Sequence, residues 1–243
     1  MPRLTIVIPA FNEERLLPRT LEAVGRSMPG FTDRGWDTEV VVCDNNSTDR
    51  TAELARAWGA KVVFEPVNQI GRARNCGAAA ASGDWILFLD ADSVPTPELF
   101  GAAAEEVAKG RVIYVGALVA LDAELPPVER FFLGMWNRLS RTLRWVAGSF
   151  ILVEADAFRE IGGFDLSLYA SEELDLSRRL KAVARRRRKT AVILTRYPLT
   201  SSARRMTMYR RGNLLRFFLK ASLRPWSTVR SREACGMWYD GRR

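Results

Sequence analysis

Along the first 120 residues, short apolar runs alternate with segments whose apolar positions recur every three or four residues. The runs at 4–8, 39–43, 61–64, 85–89 and 111–119 read as strands. Most are continuously apolar, as expected of strands covered on both faces. The segments between them, 14–26, 48–58, 71–81 and 97–108, read as amphipathic helices. Ser47 or Asn46 is placed to cap the second of these helices, and Gly59 to close it. Repeated strand–helix–strand order predicts an α/β fold with a doubly wound, mainly parallel sheet and helices on both faces, in a single domain.

Open sheets of this kind bind ligands outside the carboxyl ends of their strands. The residues following each predicted strand are Pro9-Ala10-Phe11-Asn12-Glu13, Asp44-Asn45-Asn46-Ser47, Glu65-Pro66-Val67-Asn68 and Asp90-Ala91-Asp92. Acids gathered at one sheet edge need a cation or hydrogen-bond donors to offset their repulsion. Beyond residue 120 the pattern loosens. Pro126-Pro127 is a break, 128–143 reads as an aromatic-rich helix or loop, 149–153 as a strand and 172–183 as a helix. The run 190–194 reads as a strand, and 207–223 as a basic amphipathic helix.

Composition narrows the chemistry. The chain has no histidine, which excludes Ser-His-Asp hydrolysis, Cys-His proteolysis and histidine-based zinc sites. Acid–base work is left to carboxylates, Tyr, Lys or Cys. Hydrophobic residues make up 47% and charged residues 27% of the chain, ordinary for a soluble globular protein. Cys43, Cys76 and Cys235 form neither a disulfide framework nor a zinc spacing, which fits a reducing compartment. Met1-Pro2-Arg3 leads straight into the first strand with no secretory segment, and no run approaches the roughly 18 apolar residues of a membrane span. A cytoplasmic protein is expected, with peripheral attachment to the inner face of the cell membrane as its one membrane option. The net charge of +9 is unevenly placed: residues 178–243 hold 20 Lys/Arg against Glu233 and Asp240, and residues 1–177 hold 17 against 26 acids. An acidic body with a strongly basic tail points to a polyanionic partner, anionic lipid or nucleic acid.

Asp90-Ala91-Asp92 closes the apolar strand at 85–89. Alternate side chains of an extended segment share a face, so both carboxylates can converge on one ligand. Such oxygen donors suit Mg²⁺ or Mn²⁺ bridging to diphosphate oxygens. By itself the D-x-D pattern is common in surface turns; its place after a buried strand, beside other acidic loops, gives it weight. Phe11 either offers a flat face to a base or fills the core. Asp44 either accepts from a base N–H or ribose hydroxyl, or closes an Asx turn before the next helix. Gly71-Arg72-Ala73-Arg74-Asn75 opens a helix, where backbone amides and guanidinium groups favour phosphate.

These motifs follow one another in a specific order. Thr5-Ile6-Val7-Ile8-Pro9-Ala10-Phe11-Asn12-Glu13-Glu14 is followed by Val41-Val42-Cys43-Asp44-Asn45-Asn46-Ser47-Thr48-Asp49 and Arg72-Ala73-Arg74-Asn75-Cys76-Gly77. Then come Ser82-Gly83-Asp84 with the strand through Asp92, Gly148-Ser149-Phe150, Ile161-Gly162-Gly163-Phe164-Asp165 and Ser171-Glu172-Glu173-Leu174-Asp175 through Leu180. Over about residues 4–180 the chain resembles a bacterial family-2 glycosyltransferase with a GT-A fold, acting by inversion. The resemblance implies that Pro9, Phe11, Glu13 and Asp44 line the nucleotide pocket and that Arg74 lies near the nucleotide or its diphosphate. It implies that Asp90 faces ribose or metal and that Asp92 is the main ligand of Mn²⁺ or Mg²⁺. It also implies an acidic pair whose second member deprotonates the acceptor. Here the pair is Glu172-Glu173, with a glutamate in place of the family's aspartate, so Glu173 is the expected base.

Helical spacing bears on the same choice. Glu173, Leu176, Leu180 and Val183 share one face, which would turn Glu173 inward, where burial raises a carboxyl pKa. Glu172 is then expected near the Asp175/Arg179 side. Without histidine, the late histidine metal ligand of some GT-A enzymes is missing; Arg204 and Arg205 either neutralise a leaving diphosphate or are solvated tail charges.

The expected layout is a nucleotide-sugar-binding half (1–120), an acceptor and catalytic-base half (121–200) and a basic tail (201–243). The implied partners are a nucleotide-sugar donor and an acceptor that the sequence does not identify, a lipid-linked or envelope glycan being one class. The helix at 207–223 either lies on an anionic membrane surface, with Trp226 at the interface, or packs on the body. Two other classes are weighed against this reading. A sugar-phosphate nucleotidyltransferase would carry a Gly-rich loop after its first strand, where this chain has Pro9-Ala10-Phe11-Asn12-Glu13. A nucleic-acid-binding protein would pair its charge with a recognised module, and none accompanies the tail.

Overall fold

The computed structural model describes residues 1–146, 149–204, 225–236 and 239. The expected helix at 207–223, Arg205, Gly148 and the side chain of Trp226 lie outside the described residues. Strands β1 (Arg3–Ala10), β2 (Asp37–Asp44), β3 (Lys61–Phe64) and β4 (Trp85–Leu89) pair in parallel, in the spatial order β3-β2-β1-β4. Helices α1 (Leu17–Ser27), α2 (Pro29–Thr32), α3 (Thr51–Trp58) and α4 (Ile70–Ala79) lie between them. After β4 come β5 (Ser93–Val94), α5 (Pro97–Ala108), β6 (Val112–Leu121), α6 (Pro127–Leu143) and β7 (Phe150–Glu154). The remaining elements are α7 (Ala155–Glu160), α8 (Glu172–Arg186), β8 (Thr190–Ser201) and α9 (Pro225–Val229).

One sheet runs through the whole molecule in the order β3-β2-β1-β4-β7-β6-β8-β5. The expected α/β fold with helices on both faces is present, and its sheet is mixed. β7 is antiparallel to both β4 and β6, β5 is antiparallel to β8, and β6 and β8 are parallel. Strand direction was not readable from the pattern, because Phe150–Val153 is fully buried just as the parallel strands are. Alternation in β1 and β4 feeds two cores. Leu4, Ile6, Ile8, Leu87 and Leu89 pack under α1 and α5, and Val7, Ile86 and Phe88 pack under α4, α7 and α8. No helix among the described residues is long and apolar enough to cross a membrane.

Local differences from expectation have identifiable causes. α3 begins at Thr51, after the expected cap, because Ser47 Oγ accepts from the Asn12 amide (3.0 Å) and Asp49 takes the Thr51 amide (2.9 Å). Gly59 does close α3, in the left-handed region at φ 100°. β8 continues to Ser201, well past residue 194, because its end pairs with β5, Ser93 opposite Ser201. That extension brings residues 202–204 beside Asp92, whose carbonyl accepts from the Ser202 amide at 3.1 Å.

α4 lies close on β1. A Cβ at Gly77 would meet Val7 Cγ1 at 2.3 Å, and the β-branched Val7 side chain is fixed within a central strand. Gly77→Ala should therefore lower unfolding stability by about 1–3 kcal/mol, as an overpacking change. Urea denaturation measures this; a midpoint equal to wild type would mean that the helix can lift off the sheet without cost.

Candidate functional site

The site lies at the carboxyl ends of β1, β2 and β4, and its first wall is a stapled pair of loops. Asn12 takes a left-handed conformation (φ 52°), which asparagine tolerates. Its amide donates to Ser47 Oγ, and its Oδ1 accepts from the Thr48 amide at 2.8 Å. The Glu13 amide donates to Thr51 Oγ1 at 2.8 Å, and the Glu14 amide to Asp49 Oδ2 at 3.1 Å. Hydroxyls and short acids in residues 47–51 thus serve to fix the Phe11–Glu13 loop.

A second set of amide side chains positions α4. Asn45 Nδ2 donates to the carbonyls of Glu65 (3.1 Å) and Val67 (2.7 Å), and its Oδ1 accepts from the Gln69 amide (2.9 Å). Gln69 Nε2 donates to the carbonyls of Leu166 and Leu168, both at 2.9 Å. Asn75 exchanges two hydrogen bonds with the backbone of Phe164. The start of α4 is thereby tied to the loop that leads into α8.

Arg74 occupies the centre of this arrangement and is 2% exposed. Its Nη1 donates to Glu172 Oε1 at 3.1 Å and to Glu173 Oε1 at 2.9 Å, and its Nη2 to Asp90 Oδ1 at 3.1 Å. The guanidinium lies over the Phe164 ring, 5.2 Å from its centroid. The three acids keep Arg74 protonated by raising its pKa against the effect of burial. Removing one partner of such a buried ionic cluster costs on the order of 3–5 kcal/mol, because the remaining charges are left uncompensated. Asp90 is held from its other side by the Ser149 hydroxyl, at 3.3 Å.

A second arginine organises the opposite end. Arg204 Nη2 donates to both carboxylate oxygens of Glu13, at 2.8 and 3.0 Å, and lies 3.6 Å from Asp92 Oδ2. Both acids are deeply buried. Of the expected site residues, Pro9, Phe11, Glu13, Arg74, Asp90, Asp92 and Glu173 all border one cavity of about 260 Å³.

Asp44 is not in that lining; Asn45 stands there instead. The Asp44 carboxylate accepts from the Ser47 amide at 2.9 Å, which is the turn-closing alternative for this residue. The helix-face argument for Glu173 is also corrected. Leu176, Leu180 and Val183 are buried as expected, but the interior carboxyl is Glu172, 4% exposed, and Glu173 stands half-open on the cavity wall. Glu172 is not on the Asp175/Arg179 side, where those two residues pair with each other at 2.6 Å. The two glutamates lie four and three positions before Leu176, so helical periodicity cannot separate them; both contact Arg74, and only their burial tells them apart.

The site also holds residues that the sequence did not single out. Tyr169 and Ala170 form the cavity wall next to Glu173. They are braced by the end of the chain: Tyr239 Oη donates to the Tyr169 carbonyl (3.0 Å), the Tyr169 amide donates to the Val229 carbonyl (2.7 Å), and Cys235 packs beside Ala170. Only contact distance reveals this role.

Comparison with known proteins bears on the family and the fold. The model of the family described as Glycosyl transferase family 2 matches residues 5–161. The chain is 36% identical over 104 residues to validoxylamine A glucosyltransferase of Streptomyces hygroscopicus subsp. limoneus, which is 40% of this chain and 22% of that protein. The structure is similar to that of S. aureus TarS 1-349 in complex with UDP-GlcNAc, with TM-score 0.64 and 17% identity, covering 82% of this chain and 58% of that one. It is also similar to the mannosyltransferase PcManGT from Pyrobaculum calidifontis in complex with GDP-Man and Mn²⁺, with TM-score 0.65 and 18% identity, covering 99% of this chain and 74% of that one. At these identities the structural likeness establishes a GT-A-like fold.

Burial and the neighbouring Glu173 carboxylate push the Glu172 carboxyl up to about 8, against the pull of Arg74. A carboxyl whose folded pKa lies above its unfolded one stabilises the fold most when protonated, and that contribution is lost as pH rises through the folded value. Glu172→Gln should remove this loss, so its melting temperature should gain on wild type progressively between about pH 5 and pH 8. Thermal melts across that range measure the gap; a gap that stays constant with pH would show that Glu172 is ionised throughout.

Proposed function

Because the chain belongs to Glycosyl transferase family 2, we propose that it moves a sugar from a nucleotide-sugar donor to an acceptor hydroxyl by an inverting displacement. The observation that carries this reading is the placement of acids from two remote segments on the border of one cavity. Asp90 and Asp92 follow β4, and Glu173 lies in the first turn of α8. Phe11 and Glu13, with Asn45 just past the end of β2, would hold the nucleoside. Asp92, with Asp90, would hold Mn²⁺ or Mg²⁺. Among the described residues no three acids or cysteines group closely enough to cage a metal ion. This donor set fits a cation completed by diphosphate oxygens and water, as Mg²⁺ is usually bound. When bound, such an ion supplies positive charge to the leaving diphosphate.

The chain's own residues supply the rest. Glu173 takes the proton of the acceptor hydroxyl, whose oxygen bonds to the sugar C1 on the face opposite the diphosphate. The C1–O bond to the diphosphate breaks, and the nucleoside diphosphate leaves with the electron pair. Arg74 holds Glu173 in position through its 2.9 Å contact. Arg204 lies where Glu13 and Asp92 meet and would turn its positive charge to the diphosphate as donor enters. Tyr169 forms the acceptor side of the wall. The matches span about a fifth to a third of the length of the curated relatives.

Glu173→Gln should lower kcat by about 10²–10⁴-fold, the usual range for a lost general base. Donor affinity should be unchanged, and transfer at near wild-type kcat would remove Glu173 from the role. Asp92→Asn should lose the metal-dependent part of donor binding. Calorimetry with UDP-, GDP- and dTDP-sugars, with and without Mn²⁺, reads this directly, and equal affinities in wild type and variant would sink the metal assignment.

A further inference from the structure

α6 is mounted on the body by its polar side. Asn137 Nδ2 donates to the Val119 carbonyl at 2.9 Å, and the Val119 amide returns a bond to Asn137 Oδ1 at 3.3 Å. Ser140 is buried, and its hydroxyl donates to the Trp145 carbonyl at 2.6 Å. The apolar side faces outward, the reverse of an ordinary surface helix. Val128 is 60% exposed, Phe131 67%, Phe132 54% and Met135 52%, with Leu139 and Leu143 also exposed. At 3.6 residues per turn these six side chains fall within an arc about 120° wide. A contiguous apolar face of this size marks an interaction surface.

Apart from Glu129 in its first turn, the charge on this helix is basic. Arg130, Arg138 and Arg141 follow one flank of the helix, and Arg144 ends it; all four are exposed. Lys181 of α8 reaches across, donating to the Leu143 carbonyl and lying over the Trp145 ring at 5.8 Å. Its ammonium is held below the usual range by burial and by Arg144 and Arg185 alongside, which places α8's basic end in the same patch. An exposed aromatic and aliphatic stripe bordered by arginines is the pattern of a helix lying in the plane of a lipid interface.

We propose that the outer face of α6 docks this protein on an anionic lipid bilayer. Val128, Phe131, Phe132, Met135 and Leu139 enter the acyl boundary, and Arg130, Arg138, Arg141 and Arg144 meet the headgroup charge. This surface shares no residue with the cavity lining, and its readout is binding, independent of sugar transfer.

The test is co-sedimentation of the full chain with phosphatidylcholine vesicles containing or lacking phosphatidylglycerol. Wild type should sediment with the anionic vesicles, less so at high salt. A triple variant, Phe131→Ser with Phe132→Ser and Met135→Ser, should lose partitioning by about tenfold or more while keeping its melting temperature. A second variant, with Arg210, Arg211, Arg216 and Lys220 replaced by Ser, separates the tail from the helix. Binding that persists in the second variant and vanishes in the first supports the proposal. Binding lost only in the second variant, or a lipid-free dimer that the triple variant converts to monomer, overturns it.

Discussion

A single guanidinium, that of Arg74, makes the site possible. It is almost fully buried and contacts Asp90 at the end of β4 and both Glu172 and Glu173 at the start of α8. Three carboxylates from two remote stretches of chain cannot gather in a low-dielectric interior without a cation among them. Arginine suits this place because it keeps its charge and its fork can address several acids at once. The surrounding structure is arranged to deliver it. Gly77 lets α4 settle onto β1, Asn45 and Gln69 set the path of the loop before α4, and Asn75 ties the helix to Phe164.

The second arginine gives the cavity its polarity. Arg204 balances Glu13 and Asp92 much as Arg74 balances the acids at the other end. In the proposed reaction, diphosphate or a metal ion would compete with its present partners. Arg74, in contrast, is locked by three acids and a ring, so it is a fixed part of the frame. The division matches a reaction in which one end of the site must accept and release charge while the other keeps a base in place.

The outward face of α6 adds a third, separate surface. A helix fastened through Asn137 and Ser140 leaves its apolar residues without a role in the core. With arginines along its flank, the same geometry that would be a liability in water becomes a means of holding the cavity near an interface.

Much of this molecule was legible in residue order. Continuous apolar runs located β1 to β4, and the short motifs after them located most of the cavity wall, because strand ends and their loops are local features. Local pattern failed where two arrangements share one signature. The buried run at Phe150–Val153 reads the same in either direction, and β7 proved antiparallel. Glu172 and Glu173 both precede Leu176 by about one helical turn, and the structure buries the first more deeply. Asp44 carries a family motif yet turns its carboxylate to the Ser47 amide. The residues 128–143 could be helix or loop, and nothing in their spacing said which side faces water. By itself the sequence determined the strand–helix alternation, the absence of histidine chemistry and the acids available to the site, since these depend on neighbours along the chain. Only the tertiary structure decided that Arg74 joins Asp90 to the glutamate pair, that Arg204 reaches Asp92, and that α6 presents its apolar face outward. Those outcomes depend on which distant segments the sheet brings within hydrogen-bond reach, and that distance is not encoded in any local pattern.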